Sequence, residues 1–155
     1  MKLLPYITAE GMAVLNDELE AIWIRRRDVV KALSAAAAEG DRSENAEYIY
    51  RKKELRGLDR RIRYLQKRMP DLRVVAVPPD DETKIFFAAF VLLENEKHTR
   101  IEYRIVGSDE RDHQKNNISI ESPLAQALLG KEVNDAVLIH APAGDTNYFI
   151  VAIRY

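Results

Sequence analysis

The sequence contains no cysteine among its 155 residues. Disulfide bonds, thiol catalysis and cysteine-ligated zinc or iron–sulfur centres are therefore excluded. No apolar run approaches the roughly 20 residues that a membrane-spanning helix needs. Residues 1–8 also lack the apolar core and small-residue cleavage site of a signal peptide. We therefore expect a cytoplasmic chain without a membrane partner.

Histidine and glycine are scarce as well. The three histidines, His98, His113 and His140, are scattered and show no metal-ligand spacing. The six glycines form no phosphate-binding loop, and no serine lies in a nucleophile elbow. These absences disfavour a free-standing enzyme with a catalytic centre of its own.

Charge is abundant but unevenly distributed. Residues 1–70 carry 15 Lys and Arg against 11 Asp and Glu, whereas residues 71–155 carry 9 against 14. A basic half joined to an acidic half suggests two modules with different partners. The Pro78–Pro79 pair is a stiff break, so we predict one domain over residues 1–77 and another over 78–155.

Two long helical patterns dominate the first domain. Apolar residues recur at spacings of three and four across residues 8–39 and again across 44–69, interrupted once in each helix, by Arg26 and by Arg51. This spacing is typical of a coiled-coil seam. The seam residues are Met12, Leu15, Leu19, Ile22, Val29, Leu33 and Ala36 in the first helix, and Tyr48, Leu55, Leu58, Ile62, Leu65 and Met69 in the second. Thr8 is the predicted N-cap of the first helix, and Pro70 ends the second. Gly57 costs the second helix about 1 kcal/mol, and one reason for a glycine there is close approach of the first helix.

The bend between the helices is acidic. Asp41 and Glu44 lie three residues apart in the sequence, and Asp41 could cap the second helix with Glu44 completing a capping box, with Ser43 as the rival cap. Two such carboxylates can also share a divalent cation such as Mg²⁺, which is usually held by one or two carboxylates together with waters and phosphates. Two ligands do not complete a site, so another molecule would supply the rest.

The second helix carries a basic stripe. Its cations are Lys52, Arg56, Arg60, Arg63 and Lys67, spaced 4, 4, 3 and 4 positions apart, with Lys53, Arg61 and Arg68 flanking them. Residues 51–68 hold nine Lys and Arg but two acids. Such a face favours a phosphate-rich partner. The alternative is a solvated flank of the coiled coil.

The remainder changes to strand-like periodicity. We predict strands over Leu72–Val77, Lys84–Leu93, Arg100–Val106 and Ile118–Ile120, and a closing antiparallel pair over Ala136–His140 and Tyr148–Ile153. Ser122 and Pro123 predict the start of a short helix that continues over Leu124–Leu129. The fold class is therefore α+β.

Several segments together resemble a known family. Residues 40–48, GDRSENAEY, on a helical hairpin, followed by RIVG at 104–107, ISIESPLA at 118–125 and PAG at 142–144, are similar to the Gre transcript cleavage factors of bacterial RNA polymerase. Residues 50–53 and 58–65 are closer to the GreB branch. Glu47 departs slightly from that pattern, and the loop over residues 107–117 looks unlike it.

The resemblance implies an antiparallel coiled coil followed by an FKBP-like domain, without prolyl isomerase activity. It implies a monomer that enters the secondary channel of RNA polymerase and activates cleavage of backtracked nascent RNA at its 3′ end. Asp41 and Glu44 would then be catalytic and share Mg²⁺ with the polymerase. Within and beside the basic stripe, the residues that would contact RNA are Lys52, Lys53, Arg56, Arg60 and Arg61.

Docking on the polymerase would involve Ser122, Pro123 and Leu124 if the resemblance extends to that surface. Two other interpretations stay open at this point. One is a channel-binding regulator that does not stimulate cleavage, and the other is a coiled-coil adaptor that uses the β-rich domain as its contact surface.

Overall fold

The computed structural model describes residues 3–39 and 45–155. The chain divides into two compact units, one formed by the chain up to Met12 together with Arg73–Tyr155 and the other by Ala13–Leu72. We call them the β-rich unit and the hairpin unit. The predicted α+β class is confirmed, and none of the described helices is long and apolar enough to cross a membrane.

Two α-helices account for most of the described residues of the hairpin unit. Helix α1 covers Ala9–Ala37, beginning within the β-rich unit, and α2 covers Ala46–Arg68. A 3₁₀ turn over Met69–Asp71 contains Pro70 and ends the second helix, as predicted. The buried residues follow the predicted seam: Leu15, Val29 and Ala36 on α1, and Ile62 and Leu65 on α2.

The β-rich unit is formed by two separate parts of the chain, one before the hairpin unit in the sequence and one after it. Strand β1, Tyr6–Thr8, pairs in parallel with β2, Arg73–Val75, so that Ile7 lies opposite Val74. The amide of Arg73 also donates to the Pro5 carbonyl at 2.6 Å. The N-terminal segment therefore contributes a strand, and the predicted strand over residues 72–77 is shorter than expected.

A five-stranded sheet forms the rest of this unit. Its strands are β3 (Phe90–Asn95), β4 (Arg100–Val106), β5 (Asn117–Ser119), β6 (Ala136–Ala141) and β7 (Gly144–Arg154), in the order β5-β4-β3-β7-β6. Within this sheet β4 and β5 pair in parallel, and the other neighbouring strands pair antiparallel. The predicted closing pair is confirmed as the antiparallel β6–β7 hairpin.

Helix α3, Pro123–Leu128, packs on the apolar core of the sheet. Ser122 is its N-cap and accepts a hydrogen bond from the Ala125 amide at 3.2 Å, as predicted. Ala125 and Leu128 are buried with Val91, Leu93 and Ile150. One side of the sheet thus supplies the dry core on which this unit depends.

The strand predicted over Lys84–Leu93 starts later than expected. Residues 84–89 are not part of a named strand, and β3 begins at Phe90. Ala88 has φ +73°, a left-handed conformation that interrupts an extended strand. Its amide donates to the Ile105 carbonyl at 2.8 Å, which holds the turn in place while Ile85 and Ala89 stay buried.

Candidate functional site

Asn45, which follows the acidic bend in the sequence, forms two hydrogen bonds through its side chain. Asp41, Glu44 and Ser43 lie outside the described residues. The structure does define Asn45, whose Nδ2 donates to the Ala36 carbonyl at 2.7 Å and whose Oδ1 accepts from the Tyr48 amide at 3.1 Å. Asn45 therefore joins the end of α1 to the start of α2.

This geometry corrects the predicted cap. Helix α2 begins at Ala46 with Asn45 as its N-cap, in an extended conformation at φ −84° and ψ 100°. The expectation that Asp41 or Ser43 caps this helix is therefore wrong. Asparagine is among the residues most favoured at N-caps, so the sequence was compatible with a cap at Asn45. The capping-box spacing of Asp41 and Glu44 favoured Asp41 instead.

Ion pairs between α1 and α2 establish their antiparallel arrangement. Arg61 donates to the Glu18 carboxylate at 2.6 and 2.9 Å, and Arg25 donates to Glu54 at 2.8 and 3.1 Å. As the residue number increases along α1, the number of its partner on α2 decreases, so the two helices are antiparallel. The hydrogen bonds from Arg61 lower the pKa of the Glu18 carboxyl.

The two arginines that interrupt the apolar seam have partners. Arg26 donates to Asp59 at 2.7 Å. Arg51 donates to Glu47 at 2.7 Å and to Glu54 at 3.0 Å. Glu54 thereby receives hydrogen bonds from Arg25 and Arg51, which together lower its pKa. Ion pairs replace apolar contacts at these levels of the hairpin.

The predicted basic stripe divides into two kinds of residue. Lys52, Lys53, Arg56 and Arg60 are exposed on α2. The Lys52 ammonium lies 5.6 Å from the centroid of the Tyr48 ring. Arg61 is different because its guanidinium is engaged by Glu18, so its charge is largely compensated within the hairpin. The structure thus offers four of the five predicted cations to an anionic partner.

The predicted docking residues open helix α3. Ser122 uses its hydroxyl to cap the helix, Pro123 is exposed, and Leu124 packs partly against the core. Ser122 and Leu124 therefore have structural roles, and Pro123 presents the most accessible surface of the three. A docking role for these residues stays a prediction.

Glu110 is a residue that the sequence analysis missed. Its carboxylate accepts from the Thr8 amide at 2.7 Å, from the Thr8 hydroxyl, and from the Gly107 amide at 2.9 Å. The Thr8 hydroxyl in turn accepts from the Gly11 amide at 3.0 Å, which confirms Thr8 as the N-cap of α1. A distant loop thus holds the first turn of this helix.

Gly11 is explained by the same carboxylate. A Cβ at this position would lie 2.1 Å from Glu110 Oε1, closer than any real contact. The glycine weakens helix propensity, but it admits Glu110 to the helix start. No local pattern signals this contact, since the two residues are 99 positions apart.

Comparisons with known proteins cover nearly the whole chain. The family model for the N-terminal domain of GreA/GreB transcription elongation factors matches residues 5–74, and the C-terminal model matches residues 80–155. Transcription elongation factor GreB of Pseudomonas aeruginosa is 53% identical over 152 residues, which is 97% of this chain and 90% of that protein. GreB of Yersinia pestis is 52% identical, over 97% and 88% of the two chains.

Solved structures of related factors give weaker matches. The GreA factor homolog 1 (Gfh1) of Thermus thermophilus is 25% identical, with a TM-score of 0.43, over 97% of this chain and 98% of that chain. A GreA/GreB factor of Nitrosomonas europaea is 23% identical, with a TM-score of 0.45, over 61% and 79% of the two chains.

Proposed function

The chain belongs to the GreA/GreB family of transcription elongation factors, and from that premise we propose that it stimulates RNA cleavage by backtracked bacterial RNA polymerase. The factor enters the polymerase secondary channel and presents Asp41 and Glu44 to the active site. Cleavage of the extruded RNA gives a new 3′ end and rescues the arrested complex. The factor is an activator of the polymerase and not a nuclease by itself.

The observation that carries this proposal is the conjunction of a helical hairpin with two carboxylates in its bend sequence. Asn45 closes the hairpin immediately after that bend by bonding to both helices. The four exposed cations on α2 favour an RNA phosphate backbone along the same arm. These features suit an arm that brings carboxylates to a nucleic acid held by another molecule.

The carboxylates of Asp41 and Glu44 are suitable ligands for Mg²⁺, but they do not form a complete site. The described residues contain no group of three or more His, Cys, Asp or Glu side chains that could hold a metal ion. Asp41 and Glu44 would offer hard oxygen ligands of the type that Mg²⁺ prefers, and the polymerase would complete the site. When bound, Mg²⁺ supplies activation of water and stabilisation of the leaving oxygen.

A cleavage assay tests the proposal. Stalled, backtracked complexes of a bacterial polymerase, such as that of Pseudomonas aeruginosa, would carry 5′-labelled RNA in buffer with Mg²⁺. Wild-type protein should shorten the RNA, and Asp41→Asn/Glu44→Gln should not, because the amides keep the side-chain shape but remove the charge. Binding of both proteins to polymerase is measured in parallel.

The other outcomes identify the alternatives. Binding without shortening by wild-type protein would make the chain a non-cleaving channel regulator. Absence of polymerase binding would leave the coiled-coil adaptor. Mg²⁺-dependent RNA cleavage by the isolated protein would show that it is a nuclease and would contradict the proposal.

A further inference from the structure

Two parallel rows of side chains run along one flank of α2. Tyr50, Gly57 and Tyr64 are seven residues apart, and Lys53, Arg60 and Lys67 follow each of them by three positions. Seven residues are close to two helical turns, and residues three apart are neighbours on a helix surface. The first set is the tyrosine row and the second is the cation row.

The tyrosine row is accessible. Tyr50 is 60% exposed and Tyr64 is 39% exposed, although an aromatic ring gains most by burial. Shallow depressions lie beside each ring, one lined by Tyr50, Lys53, Glu54, Gly57 and Leu58 and the other by Tyr64, Lys67, Arg68 and Asp71. Each depression therefore joins a ring to a member of the cation row.

Gly57 opens the space between the rings. A Cβ built at this position meets nothing within 4 Å in the described part of the chain. Close approach of the first helix, the reason expected from the sequence, is therefore wrong. The helix carries a residue that costs about 1 kcal/mol without an internal packing reason, and the result is bare helix backbone between two exposed tyrosines.

Each ring of the tyrosine row is oriented by an arginine of its own helix. The Arg51 guanidinium lies 5.4 Å from the Tyr50 ring centroid, and that of Arg61 lies 5.4 Å from the Tyr64 centroid. Both arginines are fixed by carboxylates, Arg51 by Glu47 and Glu54 and Arg61 by Glu18. The rings are thus supported before any ligand arrives, which reduces the entropy lost on binding.

We propose that this flank is a stacking platform for single-stranded RNA, a subsite that rests on the proposed function and extends it. Bases stack on Tyr50 and Tyr64, the strand approaches the helix over Gly57, and phosphates face Lys53, Arg60 and Lys67. Proteins that bind single strands without sequence preference combine such a basic track with aromatic rings. A protein partner is less suited, because lysine is depleted in the cores of protein–protein interfaces.

The spacing indicates the length of the bound segment. Tyr50 and Tyr64 are 14 positions apart, which corresponds to about 21 Å along the helix axis. A strand that contacts both rings therefore spans several nucleotides, and its intermediate part passes the gap at Gly57. Shorter strands should reach one ring only and bind more weakly.

The first test uses the full chain and a short single-stranded RNA that carries 2-aminopurine, whose fluorescence falls on stacking. Wild-type protein should quench the fluorescence. Tyr50→Leu/Tyr64→Leu should abolish the quenching and weaken binding about thirtyfold or more, because two stacked bases are lost. Tyr50→Phe/Tyr64→Phe should bind as wild type does. Circular dichroism verifies that each variant is folded.

Gly57 provides a second, independent pair of variants. Gly57→Ala should retain RNA binding and stabilise the helix, while Gly57→Leu should weaken binding because its side chain fills the gap between the rings. Equal RNA binding by wild type, the double leucine variant and Gly57→Leu would overturn the platform. Loss of polymerase binding in the double leucine variant, measured without RNA, would instead identify a protein partner for this flank and overturn it as well.

Cleavage assays separate this inference from the proposed function. With backtracked complexes, the double leucine variant should need a several-fold higher concentration for half-maximal cleavage, with an unchanged rate at saturation. If wild-type protein gives no cleavage at all, the proposed function fails, but the quenching experiment still decides the platform. Normal cleavage at every concentration by that variant would overturn the platform alone.

Discussion

Each of the two units is stabilised by a different kind of internal interaction. The β-rich unit has a continuous core of ten buried apolar residues. Among the described residues of the hairpin unit, five apolar residues are buried: Leu15, Val29, Ala36, Ile62 and Leu65. The hairpin compensates with ion pairs between its helices, such as Arg61–Glu18 and Arg25–Glu54. Exposed ion pairs contribute little each and are screened by salt. The hairpin should therefore respond to solution conditions more than the β-rich unit does.

The largest effect is expected from the core of the β-rich unit. Leu93→Ala should destabilise the protein by about 2–5 kcal/mol, because Leu93 is 1% exposed and its truncation leaves a cavity. Urea unfolding followed by circular dichroism measures this loss. The matched control is Ile49→Ala on the hairpin, where a 54% exposed side chain should change the stability by less than about 0.5 kcal/mol. Similar losses for both variants would contradict the contrast between the units.

The next effect concerns the helix start held by Glu110. Glu110→Ala should cost about 1–3 kcal/mol, since two backbone amides and one hydroxyl lose their acceptor. Glu110→Gln should cost less, because its amide oxygen still accepts. Thermal unfolding measures both variants.

Gly11 turns this prediction into a coupling test. Gly11→Ala should destabilise the wild-type protein, because its Cβ would clash with Glu110 Oε1. In the Glu110→Ala background the same substitution should cost much less. Additive free energies in this double-mutant cycle would show that the two positions are independent and would refute the proposed reason for the glycine.

A smaller effect is expected at Asn45. Asn45→Ala removes the cap of α2 and the bond to the Ala36 carbonyl, and should cost about 1 kcal/mol. Asn45→Asp keeps an acceptor for the Tyr48 amide but cannot donate to Ala36, so its cost isolates the bond between the helices. Thermal unfolding followed at 222 nm provides the measurement. Equal stability of all three proteins would exclude Asn45 as a link.

The smallest effect should be the dependence of the hairpin on pH and salt. Arg61 holds the pKa of Glu18 below its usual 4.5, so this pair stabilises the fold above that pH and loses its contribution as the pH falls through the lowered value. Glu18→Gln should cost a few tenths of a kcal/mol at pH 7, progressively less as the pH falls below 4.5, and almost nothing in 1 M NaCl. Glu20→Gln is the control, since Glu20 is exposed on α1 and the ion pairs of the described residues do not include it. A Glu18→Gln cost independent of pH would exclude the ion pair as its cause.

Local signals predicted much of this structure. The α3 start at Ser122 and Pro123, strand β4 and the coiled-coil seam depend on residues within one or two turns of each other, and the structure confirms them. The contacts that escaped prediction join distant positions, as Glu110 does with Thr8. The parallel pairing of Tyr6–Thr8 with Arg73–Val75 likewise depends on where the hairpin returns the chain.

The candidate site shows the same limit. Helical spacing was enough to place the cations of α2 on one stripe, but it could not show that Arg61 is engaged by Glu18. Asn45 was overlooked because a side chain that bonds to two helices has no single-helix signature. Asp41 and Glu44 lie outside the described residues, so their role stays a prediction that the cleavage assay will test.

The pairing of β1 with β2 makes the hairpin an insertion within another domain. The chain leaves the β-rich unit after Met12 and re-enters it at Arg73. The parallel pairing of β1 with β2 joins the segments that precede and follow the hairpin. Closing a long loop costs little more than closing a short one, about 0.6 kcal/mol for each doubling of its length. Adding or deleting one heptad in each helix would therefore change the reach of the arm while leaving its seam in register and its host domain intact. The length of the arm is a variable that evolution or an engineer can adjust separately from the fold that carries it.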